Sequence, residues 1–546
     1  MKETGTYIGI DLGTSSVKLL LTDAQGKVLG EASREYSLLQ PAPGWKEIEA
    51  QTWWQAVQEA LEELLGNSSA DSPAAGGPES LRETVRGIGV TGQMHSLVLL
   101  DGDGEPVRPV LMWNDTRTKE LIPDLKAGVL GTPSAHIAQI LSTGSPAANL
   151  YWVKKNEPDR FDRIRHFLIG PDYIVYRLTG VPGTDYCEAS TSSMYDLIRR
   201  KWSPEMLALL GIGEDVCPPV RGSAETAGRI LPALADRFGL PADCRVVVGT
   251  GDNPAASIPT GCLGSGWPVL SLGTSGVLMF PRQKPDFEAR GKNILFAFGD
   301  AGNGDLEKGD SEKGREAAAA AAALPGGASE GVPEAADGGN AGIYTLTQGV
   351  VQSCGSGYNW LIRQILEIKD FSSADAGIDL SHPELNRVMF YPHMTGDKTI
   401  YRDPTLRGAF LGLGTETTRS DMIRAFMEGI AYAVRELIEA MELAPEMVRE
   451  LRVIGGGARS RVWMQIFADV LDTEILQLEG NAGAGCGAAM LAAYACGEIT
   501  DPREIAARTV TVREHFRPNP EAAALYRKGY ERYRRIHDAL TEIYAD

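Results

Sequence analysis

Long apolar runs are missing from this chain. No stretch of its 546 residues approaches the ~20 apolar positions needed to cross a bilayer, so a membrane span is not expected. Cysteine offers no scaffold either. The seven present are widely spaced, odd in number and contain no Cys-x-x-Cys pair, which argues against a disulfide framework and a zinc-site pattern. They read as small buried apolar residues. Positive charge is in deficit, with 53 Lys and Arg against 72 Asp and Glu and a formal net charge of -19. Nucleic acid and anionic lipid bind through clustered Lys and Arg, so neither is an expected partner. A small polyanionic ligand would have to be held by backbone N–H groups and a divalent cation. Between Met1 and the first apolar run at Tyr7 there is no room for a basic, an apolar and a cleavage region, so a secretory leader is not expected and the chain reads as cytoplasmic.

What remains is an ordinary globular composition, 43% hydrophobic and 23% charged. The length exceeds the usual size of one core, so at least two domains are expected, with a cleft between them as the natural place for a site. Two segments share a strand–turn–strand pattern: Tyr7 to Gly30, with Gly13, Thr14, Ser15 and Ser16 in its first turn, and Val269 to Phe280, where Leu-Gly-Thr-Ser recurs. Both read as halves of an internal repeat, and the boundary between domains is placed near residue 265, giving 1–265 and 266–546. Apolar spacings of three and four predict a packing helix over Thr52 to Leu65. Gly66 to Ser80 and the longer stretch Gly299–Gly342, with its alanine tract, read as surface insertions; the second is expected to be mobile.

Three motifs carry chemistry. In Asp11-Leu-Gly-Thr-Ser-Ser-Val-Lys18 an acidic residue ends a strand, where it can hold hydrated Mg2+, and the turn that follows exposes N–H groups and hydroxyls suited to phosphates. The Gly-Lys-Ser/Thr ending of a Walker A loop and the Gly-x-Gly-x-x-Gly dinucleotide fingerprint are both absent. In Arg245 to Ser257 an apolar strand enters a glycine turn and then a helix, with Asp252 or Asn253 near its N-cap. A helix N-terminus favours an ionised carboxylate, and a general base must be ionised to accept a hydroxyl proton. In Glu450 to Leu471 a strand leads through Gly455-Gly456-Gly457 into an amphipathic helix, and consecutive glycines let a flat ring approach the backbone closely.

In this order and at these separations the motifs resemble the actin-like ATPase superfamily and, within it, the FGGY carbohydrate kinases, over roughly residues 7 to 500. The resemblance implies two actin-like, ribonuclease H-like α/β domains with sugar and ATP meeting in the cleft between them. It makes Asp252 the catalytic base and Asp11 the organiser of Mg2+. Gly13, Thr14, Ser15, Ser16 and Lys18 match the first phosphate motif, Thr274 the second-half turn, and Gly456, Gly457 and Arg461 the adenosine motif. Gly355 and Asn359 fall where the family contacts nucleotide. Sugar contacts are expected mainly from the first domain.

The acceptor class comes from Gln93-Met94-His95 and Trp113-Asn114-Asp115-x-Arg117. These are similar to the family members that act on D-xylulose, in which the Met-His pair contacts the ketose; members acting on glycerol carry Arg-Glu there. With Asp252 and Asn253, the residues Met94, His95, Trp113, Asn114 and Asp115 form the expected sugar site. The expected reaction is D-xylulose plus ATP giving D-xylulose 5-phosphate plus ADP. Gly170-Pro171-Asp172-Tyr173 departs from the common Pro-Lys-Asp-Tyr, the insertion is unusual, and Gly480 to Ala489 is richer in glycine than the usual version. Kinases for ribulose, L-xylulose, erythritol or gluconate remain the alternatives, and a non-catalytic nucleotide-dependent sugar sensor is the rival from another class. Association as a homodimer is left open.

Overall fold

A computed structural model of the protein describes residues 5–67, 82–263, 266–299, 343–369, 374–375, 377–381, 387–479 and 483–544. The expected boundary at residue 265 and nearly all of the insertion 299–342 lie outside these.

Two seven-stranded sheets dominate. In the first, the strands run in the order Thr226–Arg229, Arg245–Val247, Val85–Gly92, Thr6–Leu12, Ser16–Asp23 and Val28–Glu35, and Thr250–Gly251 also pairs with Val85–Gly92. The second runs Lys292–Phe296, Tyr344–Val351, Gly276–Arg282, Val269–Leu272, Glu450–Ile454, Glu474–Leu478 and Val512–Phe516. Each contains the same unit, an antiparallel hairpin whose first strand also pairs in parallel with a strand ending at a glycine turn. Thr6–Leu12 pairs with Ser16–Asp23 and Val85–Gly92; Val269–Leu272 pairs with Gly276–Arg282 and Glu450–Ile454. The repeat read from Leu-Gly-Thr-Ser is therefore a repeat of topology.

Thr6–Leu12 is a central strand with both faces covered, which is why it reads as a nearly continuous apolar run. Ile8, Ile10 and Leu12 join the core of Trp53, Val57 and Leu61 from the helix Ala50–Asn67. Burial of each such side chain contributes about 1.5–3 kcal/mol. Tyr7 lies instead in a core with Ala489, Leu491 and Ala493, from the helix Ala484–Ala495. The second half has its own core, in which Phe426, Ile430 and Leu437 meet Trp463 and Phe467. Its long helix Arg419–Ala440 is started by a reciprocal Thr418–Asp421 capping box.

Although it belongs to the C-terminal sequence, the helix Ala484–Ala495 lies on the first sheet at backbone-to-backbone range. A Cβ at Gly9 would overlap the Gly485 carbonyl, one at Gly89 the Ala488 carbonyl, and one at Gly487 the Ala255 carbonyl. Only glycine permits these approaches. The third locks this helix against Asp252–Ser257, the element that begins with the expected catalytic base. Gly89→Val should accordingly cost about 1–3 kcal/mol or more, because the opposing group is a backbone carbonyl that cannot change rotamer. Urea unfolding should show a lower midpoint with an unchanged slope; an unchanged midpoint would contradict this packing.

Candidate active site

Asp11 stands at the penultimate position of Thr6–Leu12, level with Lys18 on one neighbouring strand and Thr91 on the other. The turn beyond it is tightly held. Gly13 N–H donates to the Ser16 carbonyl at 2.9 Å, and the Gly13 carbonyl accepts from Tyr36 Oη at 2.5 Å and Gln93 Nε2 at 3.1 Å. The hydroxyl of Thr14 accepts from Trp113 Nε1 at 3.0 Å, so the expected phosphate turn and sugar loop touch. Ser15 is exposed at the tip of the turn and Ser16 is half-buried. Lys18 points elsewhere: its ammonium pairs with Glu31 at 3.1 Å on the next strand, and its charge lowers the Asp11 pKa.

The second-half turn repeats the pattern, Gly273 N–H donating to the Ser275 carbonyl at 3.0 Å, with Thr274 exposed. Gly355 N–H donates to the Gly273 carbonyl at 2.9 Å, and a Cβ at Gly355 would overlap that oxygen. The same helix start, Gly355–Trp360, presents Asn359 at the surface. In the triple glycine, Gly455 has a φ of +96° and, like Gly457, would press a Cβ onto Leu272, whereas Gly456 faces open space. Two of the three glycines serve packing and one leaves room for a ligand. Arg461 is turned away, exposed and paired with Glu514.

Asp252 is the first residue of its helix, and Gly251 is the N-cap. Its Oδ1 accepts the Asn253 N–H at 2.7 Å, the interaction expected to keep it ionised. Burial and, second, the Asp11 carboxylate outweigh that bond and push the Asp252 pKa up to about 7. Asp11 is itself raised by burial to about 6. The expectation of a fully ionised base is thus corrected: one hydrogen bond at a helix start is overcome by desolvation and a second carboxylate. Two neighbouring carboxylates that resist ionising together fit a divalent cation, since Mg2+ is commonly held by one or two carboxylates plus phosphates. Among the described residues no group of three or more His, Cys, Asp or Glu is arranged for a metal.

Around Asp252 lie the expected acceptor residues. Asn253 Nδ2 contacts Met94 Sδ at 3.8 Å and donates to Gln348 Oε1 at 3.3 Å. His95 has a φ of +74°, a left-handed backbone that is uncommon for a non-glycine residue and costly. Its Nε2 sits 2.8 Å from Lys292 Nζ. Beside them, Glu188 is fully buried and held well above the usual carboxylate range by burial and then by Asp172, Asp185 and Asp252. Trp113 is 40% exposed and Asn114 Oδ1 is buried without a partner; both are free to meet a ligand. Asp115 is not, because its carboxylate accepts from Lys46 N–H at 2.6 Å and binds Arg117 through two N–H groups at 2.9 and 2.8 Å. It braces the loop.

Sequence reasoning missed Tyr36, Glu188, Lys292 and Gln348, which carried no motif, and gave Gln93, quoted with the Met-His pair, no role of its own.

The matching family models are the N-terminal domain of the FGGY family of carbohydrate kinases, over residues 6–259, and its C-terminal domain, over 320–496. The chain belongs to this family and is an ATP-dependent sugar kinase with the two-domain actin-like α/β fold. Among its relatives, the xylulose kinase of Bacillus subtilis (strain 168) is 30% identical over 540 residues, 98% of this chain and 97% of that protein. The xylulose kinase of Staphylococcus xylosus is 28% identical over 532 residues, 97% and 99% of the two. The crystal structure of a "xyloylose kinase" from Brucella ovis is 31% identical, covers 98% of this chain and 100% of that one, and superimposes with a TM-score of 0.81. No helix among the described residues is long and apolar enough to cross a membrane.

The Asp252 shift makes a prediction that needs no substrate. Its folded pKa of about 7 exceeds the ordinary ~3.9 of an unfolded Asp. The native state therefore holds a proton that the unfolded state has lost between those values, and this carboxyl lowers stability as pH rises through that window. Without metal or nucleotide, Asp252→Asn should raise Tm more at pH 8 than at pH 5. Equal shifts at both would contradict the assignment.

Proposed function

We propose that this chain is a cytoplasmic kinase that transfers the γ-phosphoryl group of ATP to the C5 hydroxyl of D-xylulose. The observation that carries the reading is a buried carboxylate, Asp252, with a pKa of about 7, next to Asn253, which contacts Met94 of the first half and Gln348 of the second sheet. Full-length relatives named xylulose kinase support the choice of sugar.

In this reading Asp252 Oδ accepts the proton of the acceptor hydroxyl as its oxygen attacks the γ-phosphorus. A base of pKa near neutrality is ionised in a useful fraction of molecules and basic enough to take the proton. N–H groups and hydroxyls of Gly13–Ser16 and Thr274 surround the phosphates, and Gly456 gives the adenosine its space. Asp11, together with the phosphates, would hold Mg2+, which supplies charge neutralisation for phosphoryl transfer. His95 and Asn253 orient the sugar, and Trp113, bonded to Thr14, covers the junction of sugar and phosphate.

Asp252→Asn keeps size and hydrogen-bonding capacity while removing the base. Its kcat should fall ~10²–10⁴-fold or more, with calorimetric ATP affinity little changed. A variant of near-normal activity would reduce Asp252 to a structural residue. In a coupled ADP-release assay across D-xylulose, ribulose, L-xylulose, erythritol and gluconate, D-xylulose should give the highest kcat/KM; another winner would overturn the sugar while leaving the kinase intact.

A further inference from the structure

The acceptor pocket is completed from the wrong side of the molecule. Lys292 opens the strand Lys292–Phe296 at the edge of the second sheet, where it lies directly opposite Gln348. Residues opposite one another in antiparallel strands share a face, and here both reach across the cleft. Gln348 accepts from Asn253, and Lys292 meets His95. The strand is fixed against the first half along its length: Leu295 N–H donates to Ser190 Oγ at 3.1 Å, and the Ala297 carbonyl accepts the Ser223 N–H at 2.7 Å. Lys292 is therefore a placed side chain, though it belongs to the sheet expected to serve the nucleotide.

The contact has a definite sense. A lysine ammonium has three donors and no acceptor, so His95 Nε2 must accept at 2.8 Å and the ring proton must reside on Nδ1. Burial and the Lys292 charge hold His95 well below its ordinary pKa, so the ring is neutral. Its buried Nδ1 forms no hydrogen bond of good geometry. The charged and titratable groups facing Lys292 are Cys187 and Glu188 from the helix Tyr186–Thr191, Lys398, Asp252 and His95. Burial and neighbouring carboxyls hold Glu188 well above the usual carboxylate range, and Glu188 and Asp252 act to raise the Lys292 pKa against the larger effect of its burial.

We infer that Lys292 is an acceptor-positioning residue: it locks His95 in the Nδ1–H tautomer and offers its remaining N–H bonds to an oxygen of the bound sugar. The inference rests on the acceptor-site reading above. It gives an acceptor site built mostly from the first half two side chains of the second sheet, Lys292 and Gln348, placed opposite one another on adjacent strands. Burial lowers the Lys292 pKa to about 8, so its charge, and acceptor affinity with it, should decline as pH rises through that value.

The test combines Lys292→Met, Lys292→Arg and the unaltered enzyme. In Lys292→Met the KM for the acceptor should rise roughly 10- to 100-fold, the effect of losing a hydrogen bond from a charged donor, while KM for ATP stays within about twofold and Tm is little changed. The rise of acceptor KM above pH about 8 should vanish in Lys292→Met and be suppressed in Lys292→Arg, which keeps its charge. Nitrogen-15 NMR of histidine-labelled enzyme should show an unprotonated Nε2 at His95, and a redistribution of tautomers in Lys292→Met. That spectrum of the unaltered enzyme stands even if the Met variant misfolds: a protonated Nε2 there overturns the inference. So does an unchanged acceptor KM, or equal rises in both KM values. Phosphorylation of a different sugar with the same Lys292 dependence would overturn the D-xylulose assignment and leave this one standing.

Discussion

Two carboxylates that resist ionising together set the terms for the rest of this structure. Asp11 and Asp252 lie more than two hundred positions apart in the chain, yet burial raises each, and Asp11 adds to the shift of Asp252. Bringing them together requires the strand Thr6–Leu12, the glycine turn after Val248, and a short helix whose start is immovable. Immobility comes from behind, where Gly487 lets the helix Ala484–Ala495 press onto Ala255 while Gly485 and Ala488 bear on the first sheet. The glycines at 9, 89 and 487 thus serve the placement of a carboxylate, and the C-terminal segment is a structural part of the first half.

The two sheets share a topology but put it to different uses. Both hairpin turns expose a hydroxyl residue, Ser15 and Thr274, and both are fixed by backbone bonds, Gly13 to Ser16 and Gly273 to Ser275. Only the first carries an acidic residue at the penultimate position of its leading strand; the corresponding position of Val269–Leu272 is Ser271. Only the second is followed through the parallel strand by the open space at Gly456. In the proposed reading cation and base are grouped on one side and adenosine space on the other, a division suited to transfer between two substrates held face to face.

Much of this was legible in the chain itself, for identifiable reasons. Acidic residues next to glycine turns at strand ends, repeated Leu-Gly-Thr-Ser and a triple glycine are local patterns whose geometry depends little on the remainder of the fold. Asp11, Asp252 and the phosphate turns belong to that class, whereas Met94 was marked only by the family resemblance. Lys292 and Gln348 do not, because a lysine opening an edge strand has no sequence mark until the strand's partner and the opposing loop are known. Lys18, Asp115 and Arg461 sat within informative motifs, yet their side chains are taken by Glu31, Arg117 and Glu514. At Asp252 the helix start is outweighed by burial and by Asp11. A helix terminus contributes about 0.3–1 kcal/mol to a nearby charge, less than the ~1.36 kcal/mol that one pKa unit represents, and burial acts in the opposite direction over several units.

In the proposed reaction the acceptor hydroxyl receives the phosphoryl group beside Asp252. Phosphorus-31 NMR of the protein mixed with MgATP and D-xylulose follows that group directly. A single phosphomonoester signal, coupled to the two C5 protons and growing in step with ADP, is the predicted result. ADP accompanied by inorganic phosphate, or no turnover with any sugar, would contradict it.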